Sequence, residues 1–244
     1  MTNSILQSNA MLVSLNISCC GFVRKDNKVT DQVNRDHAAT SNAGKYDKNL
    51  LDPKDTDGPQ RQARAARTTH ERLTLPWGNG NQRLLPVANY ENYLQAMEQH
   101  KRAFEDSVSA LTVRLPDLIE RRREQLNGMF RESDYAFIDG IEDRYSFKRL
   151  VLPVPVGGNF IADLVDSEIE AIKADIEDSN KALLDSAMQD SFSKLHKAVK
   201  HIADCLDGYT VERVRKAGGK WKNEPSRRLY DSMISNLSDL VEVL

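Results

Sequence analysis

Three cysteines in 244 residues, two of them adjacent (Cys19 and Cys20) and the third at Cys205, are too few for a disulfide framework. Neighbouring thiols on a strand point to opposite faces, so the pattern suits a reducing compartment. Long apolar runs are also missing, and nothing approaches the ~18 residues of a spanning helix. The first ten residues hold no Lys or Arg, and the apolar stretch from Met11 is broken by Ser14, Asn16 and Ser18. Neither half of a signal peptide is therefore in place. Charge of one sign is lacking too: the net charge of -2 sets up no global field for nucleic acid or membrane. Any such binding must come from local patches. The expected setting is the cytoplasm, without membrane contact.

What the chain does have is helical periodicity. From about Val87 to Phe130, apolar residues recur at steps of three and four: Tyr90, Leu94, Met97, Phe104, Val108, Leu111, Leu115 and Leu118. From about Asp166 to Leu206, Ile169, Ile172, Ile176, Leu183 and Ala187 do the same, and Phe192, Leu195, Val199, Ile202 and Leu206 follow after a phase slip. Narrow apolar seams require a facing stripe. The expected fold is mainly α, a long antiparallel helical hairpin or bundle, coiled-coil-like, with a small β-element at one end. Phe104, Val108, Leu111, Leu183, Leu195 and Val199 are expected between helices, and Pro116 should kink or interrupt the first helix.

The alternation of Val13, Leu15, Ile17 and Cys19 with polar neighbours predicts a half-buried strand over 12–20. A short helix is expected near Thr30–Ala39, and a turn-rich break at 52–59. Pro59 should then open a helix running to about Glu71. Leu73–Trp77 and Leu84–Val87 flank an Asn-Gly turn, and 146–156 reads as extended but barred by its prolines from a central position. Asp134–Arg144 suggests an acidic short helix. Three domains follow: residues 1–86 as an α+β base, 87–207 as the hairpin, and 208–244 as a basic linker plus an amphipathic helix carrying Leu229, Met233, Leu237, Leu240 and Leu244.

Chemistry is sparse. His201 and Cys205 share a helix face at ligand spacing, but two ligands do not make a zinc site. The carboxylates are spread among lysines, as on solvated helix faces. Gly78-Asn79-Gly80 and Gly157-Gly158 lack the flanks of a phosphate loop, and no nucleophile sits in a strand–turn–helix elbow. No catalytic, cofactor or metal residue is nominated, and the chain reads as non-enzymatic.

Two basic stretches carry the best functional signal. Arg213, Arg215, Lys216, Lys220, Lys222, Arg227 and Arg228 cluster around Trp221, and Arg61, Arg64 and Arg67 recur every three residues along one helix face. Such patches bind phosphates, and an interleaved aromatic stacks on bases. They are candidates for nucleic-acid or partner binding; a solvated linker and an exposed helix face explain the same residues.

Leu15-Asn16-Ile17-Ser18, Asp31-Gln32-Val33, Ala66-Arg67-Thr68-Thr69-His70, Leu75-Pro76-Trp77-Gly78 and Arg83-Leu84-Leu85-Pro86-Val87-Ala88-Asn89-Tyr90 together resemble a family of uncharacterised proteins from tailed phages and mobile elements. Leu152-Pro153-Val154-Pro155 and Phe160-Ile161-Ala162-Asp163-Leu164 are similar to its second block. The resemblance covers roughly residues 12–244. It implies a neighbourhood of recombination functions and MoxR-like AAA+ ATPases, and carries over no catalytic residue. The function expected is a phage or mobile-element interaction or assembly protein, acting through its helical hairpin on an AAA+ ATPase, another protein or a second copy. The alternative is nucleic-acid binding in phage DNA metabolism through residues 212–228.

Overall fold

The computed structural model describes residues 6, 8–78, 80–156, 166–207, 211–215, 221–225 and 241. The fold is mainly helical, with a small antiparallel sheet. In chain order it has β1 (Ala10–Ser18), β2 (Val23–Lys25), α1 (Asn27–Asp36), β3 (Asp47–Asn49), α2 (Pro53–Arg72), β4 (Leu75–Pro76), β5 (Gln82–Pro86) and α3 (Tyr90–Leu126). Then come β6 (Ser146–Pro153), α4 (Asp166–Asp207), β7 (Val211–Arg215) and β8 (Trp221–Pro225). Two compact units emerge, one of Met1–Ser14, Thr69–Leu94 and Leu150–Leu244, the other of Leu15–Thr68 and Gln95–Arg149. The sequence suggests breaks at 86 and 207 instead.

The first unit is built on the sheet, with strand order β4-β5-β1-β6. β1 pairs antiparallel with β5 from Ala10↔Pro86 to Ser14↔Gln82. Leu12 and Val13, on opposite faces, are both buried, as is Ser14, so this part of β1 is covered on two sides rather than one. Leu6, Ala10, Leu12, Leu75, Trp77, Leu84, Val154 and Ala187 form the core, with Leu183 and Leu184 of α4 packed against it. The edge position of β6 agrees with its terminal Pro153, which has no N–H to give a ladder.

The second unit centres on α3. Leu111, Leu115 and Leu118 pack with Cys20, Phe22, Leu50, Leu51, Tyr135 and Ile141. The α3 stripe is thus covered partly by irregular chain, which periodicity could not reveal. This packing also holds α3 unbroken through Pro116, contrary to an interruption there; the ring removes a single helix donor. Tyr135 donates its hydroxyl to Leu50 O at 2.8 Å. Beside this core, Lys48 is buried between the carboxylates of Asp26 and Asp134 and donates to Met129 O.

Other expectations need correction. α2 starts at Pro53, because the Asp52 carboxylate accepts from the Lys54 N–H and Pro53 takes a first-turn position where its missing donor is harmless. Pro59 lies inside the helix. The 134–144 segment is not one helix but separate 3-10 turns at Glu132–Asp134 and Ile141–Arg144, parted by Gly140 at φ 72°. The basic linker contains two strands, β7 and β8, paired antiparallel from Val211↔Pro225 to Arg215↔Trp221. Of the expected C-terminal helix only Val241 is described; Leu229, Met233, Leu237, Leu240 and Leu244 lie outside the described residues.

Candidate partner-binding face of the last long helix

α4 changes character along its length. In its first half, Asn180 is buried and donates through Nδ2 to Pro155 O at 2.7 Å, and Ala187 joins the sheet core. Ser191 is buried and donates to Ala187 O. After Ser191 every residue to Asp207 is half-buried or exposed. The seam does not stop there. Met188, Phe192, Leu195, Val199, Ile202 and Leu206 continue at alternating steps of four and three. Phe192 is 55% exposed, Val199 49% and Leu206 52%.

Val199 is therefore not buried between helices as expected; Phe104, Val108 and Leu111 are buried, Leu111 against Cys20, Phe22, Leu50, Leu51, Tyr135 and Ile141 rather than against a second long helix. The physical reason is the phase slip. Moving the seam from Ala187 to Met188 turns it by about 100° around the helix, off the face that rests on the sheet. The slip was visible in the sequence; that it separates a covered face from an uncovered one was not.

The flanks of this stripe are small or uncharged: Gln189, His196 and Ala203 on one side, Ser191, Ala198 and Cys205 on the other. Lysines 194, 197 and 200 lie further round, with Lys194 paired to Asp190 at 2.6 Å. An apolar seam with uncharged flanks is what a docking helix requires.

The other candidates fare differently. Arg67 donates from Nη2 to Ile17 O at 2.8 Å, so it ties α2 to β1 within the second unit, and Arg61 pairs with Asp57. Arg64 is exposed. Arg213, Arg215, Trp221 and Lys222 fall on the β7–β8 hairpin; Lys216, Lys220, Arg227 and Arg228 lie outside the described residues. On α3, Lys101 and Arg122 are half-buried: Lys101 meets Glu105, and Arg122 holds Asn49 O through two nitrogens at 3.1 and 2.8 Å.

A hollow of about 200 Å³ in the second unit is lined by Phe104, Glu105, Val108, Ser109, Glu142, Tyr145, Ser146 and Phe147. That is below the usual size of a ligand pocket. Burial raises the Cys19 and Cys20 thiols, against a smaller opposing effect of Arg67 on Cys19 and Arg144 on Cys20, which is the reverse of what a nucleophile needs. Among the described residues no group of His, Cys, Asp and Glu is arranged to hold a metal ion, and no described helix is long and apolar enough to cross a membrane. No family model, curated protein or solved structure matches the chain.

Proposed function

We propose that this chain is a non-enzymatic interaction or assembly protein of a tailed phage or mobile element, working in the host cytoplasm. Its partner is an AAA+ ATPase, engaged through the coiled-coil-like second half of α4. The observation behind this reading is the exposed seam Met188–Leu206 on a helix anchored at its other half. A stripe of this regularity, with Met188, Phe192, Val199 and Leu206 exposed and Leu195 and Ile202 half-buried, binds another helix, because solvating aligned apolar side chains is unfavourable. The phage setting and the ATPase rest on the sequence resemblance.

The test is light scattering on the purified chain mixed with a MoxR-like AAA+ ATPase of the kind the resemblance implies. A complex is expected, lost on Phe192→Asp or Val199→Asp without a fall in thermal midpoint, since both side chains are already exposed. A monomer that forms no ATPase complex at high concentration refutes the proposal.

The β7–β8 hairpin favours a second reading. A two-stranded ribbon with basic residues fits a nucleic-acid groove better than a loose linker does. Anisotropy with single- and double-stranded DNA at two salt concentrations tests it, because phosphate contacts weaken steeply with salt. Replacing Lys216, Lys220 and Lys222 by Glu should abolish binding; unchanged affinity removes this reading.

A further inference from the structure

We propose that Lys48 and Asp134 condense spontaneously to an amide, an intramolecular cross-link that ties β3 to the chain following α3. Asp26 is the proton-transfer group of this reaction.

Lysine and aspartate are seldom buried in full, and here three such side chains share one site in the second unit. Lys48 is the one buried residue of β3, between exposed Asp47 and Asn49. The Lys48 and Asp26 side chains are each 2% exposed, and that of Asp134 is 8% exposed. Lys48 Nζ touches Asp134 Oδ2 and lies 3.5 Å from Asp26 Oδ2. Both oxygens are thus ion-paired to the ammonium, yet neither accepts a hydrogen bond of normal alignment among the described residues.

The surroundings give each remaining atom a task. Asp26 caps α1, its Oδ1 accepting from the N–H groups of Lys28 and Val29 at 3.1 and 3.3 Å, which leaves Oδ2 for Nζ. Met129 O accepts from Nζ at 3.0 Å and fixes the amine. Arg24 Nη1 lies 3.2 Å from Asp134 Oδ1, the oxygen an amide would keep. Tyr135, next to Asp134, donates to the O of Leu50, two residues from Lys48, and Phe130 stacks on Tyr135. Both reacting residues are therefore held by bonded neighbours. Fixing amine and carboxyl in contact removes the entropy that makes such a condensation slow in solution.

In water, hydration of the ammonium and carboxylate opposes amide formation. Buried, the two ions have lost that hydration, and condensation removes both charges at once. Burial opposes the charge of Asp26 too, but the Val29 N–H, Arg131 and Lys48 outweigh it and keep the group a carboxylate, able to take a proton. It takes one from the ammonium, and Nζ attacks Asp134 Cγ. As the C–N bond forms, negative charge gathers on Oδ1 beside the Arg24 guanidinium. The Cγ–Oδ2 bond then breaks. Of the three ammonium protons, two pass through Asp26 to Oδ2, which leaves as water, and the third stays on the amide facing Met129 O. No oxidant or co-reactant is consumed, so the link forms in a reducing compartment, where a disulfide would not persist.

Intact mass spectrometry of the full chain should give the sequence mass less one water, and proteolysis should release a branched peptide joining Lys48 to Asp134. Lys48→Arg keeps the positive charge and Asp26→Asn keeps a helix cap, so each should retain its circular dichroism but stay at full sequence mass. Asp134→Asn should still link, with ammonia leaving in place of water, and reach the same final mass as the unsubstituted chain. Should Lys48→Arg fail to fold, the branched peptide and Asp26→Asn decide the matter. A chain at full sequence mass, a water loss that maps elsewhere, or a branched peptide undiminished in Asp26→Asn overturns the proposal.

Discussion

His70 is buried in the first unit with Nδ1 2.8 Å from the Tyr93 hydroxyl, and its Nε2 has no hydrogen-bond partner among the described residues. Burial, reinforced by the Arg83 guanidinium, pushes its pKa down to about 4. The unfolded chain therefore takes up the proton more readily than the folded one. Stability is complete above the ordinary histidine value near 6.5 and falls as pH drops toward 4. Urea midpoints should decline across that window, and His70→Gln should flatten the decline. Asp26 acts in the same direction at lower pH. Burial opposes its charge, but the Val29 N–H, Arg131 and Lys48 outweigh that and hold its pKa below the ordinary value. Its contribution is present above the ordinary aspartate value and disappears as pH falls through the depressed one. Lys48 itself faces two buried carboxylates, so Lys48→Ala should cost about 3–5 kcal/mol in denaturant unfolding. Arg121→Ala, at an exposed pair with Asp55, should cost under about 1 kcal/mol.

Among the elements, α3 separates packing from periodicity. Leu111 is 4% exposed and Val113, two residues on, is 80% exposed. Leu111→Asp should destabilise by several kcal/mol, because it buries an unpaired charge, whereas Val113→Asp should leave the thermal midpoint almost unchanged. The long helices, strands β1 and β5 and the edge placement of β6 were legible in the residues, since each rests on a local period or on proline. The partners of each face were not. Leu50, Leu51 and Tyr135 cover α3 from segments with no period at all, and β2 and β3 are three-residue strands too short to leave one. The candidate face of α4 was legible as a seam and illegible as an exposed one, because a heptad records only that an apolar stripe exists. β7 and β8 escaped because charged residues at 212–216 and 220–224 hide the strand signal behind that of a linker.

For the whole molecule, the chain passes between the two units four times, and each passage falls inside a regular element: β1, α2, α3 and β6. Neither unit is a contiguous stretch. A fragment spanning 87–207 should therefore fail to unfold cooperatively by circular dichroism, lacking both β1 and the Leu50–Leu51 pair that covers α3. The same layout sets an order of events during synthesis. All of Leu15–Arg149 is synthesised before Val154 and Ala187 exist to close around Leu6, Ala10 and Leu12. β1 is made before the elements that complete its core, and until they follow its apolar side chains stand available to chaperones.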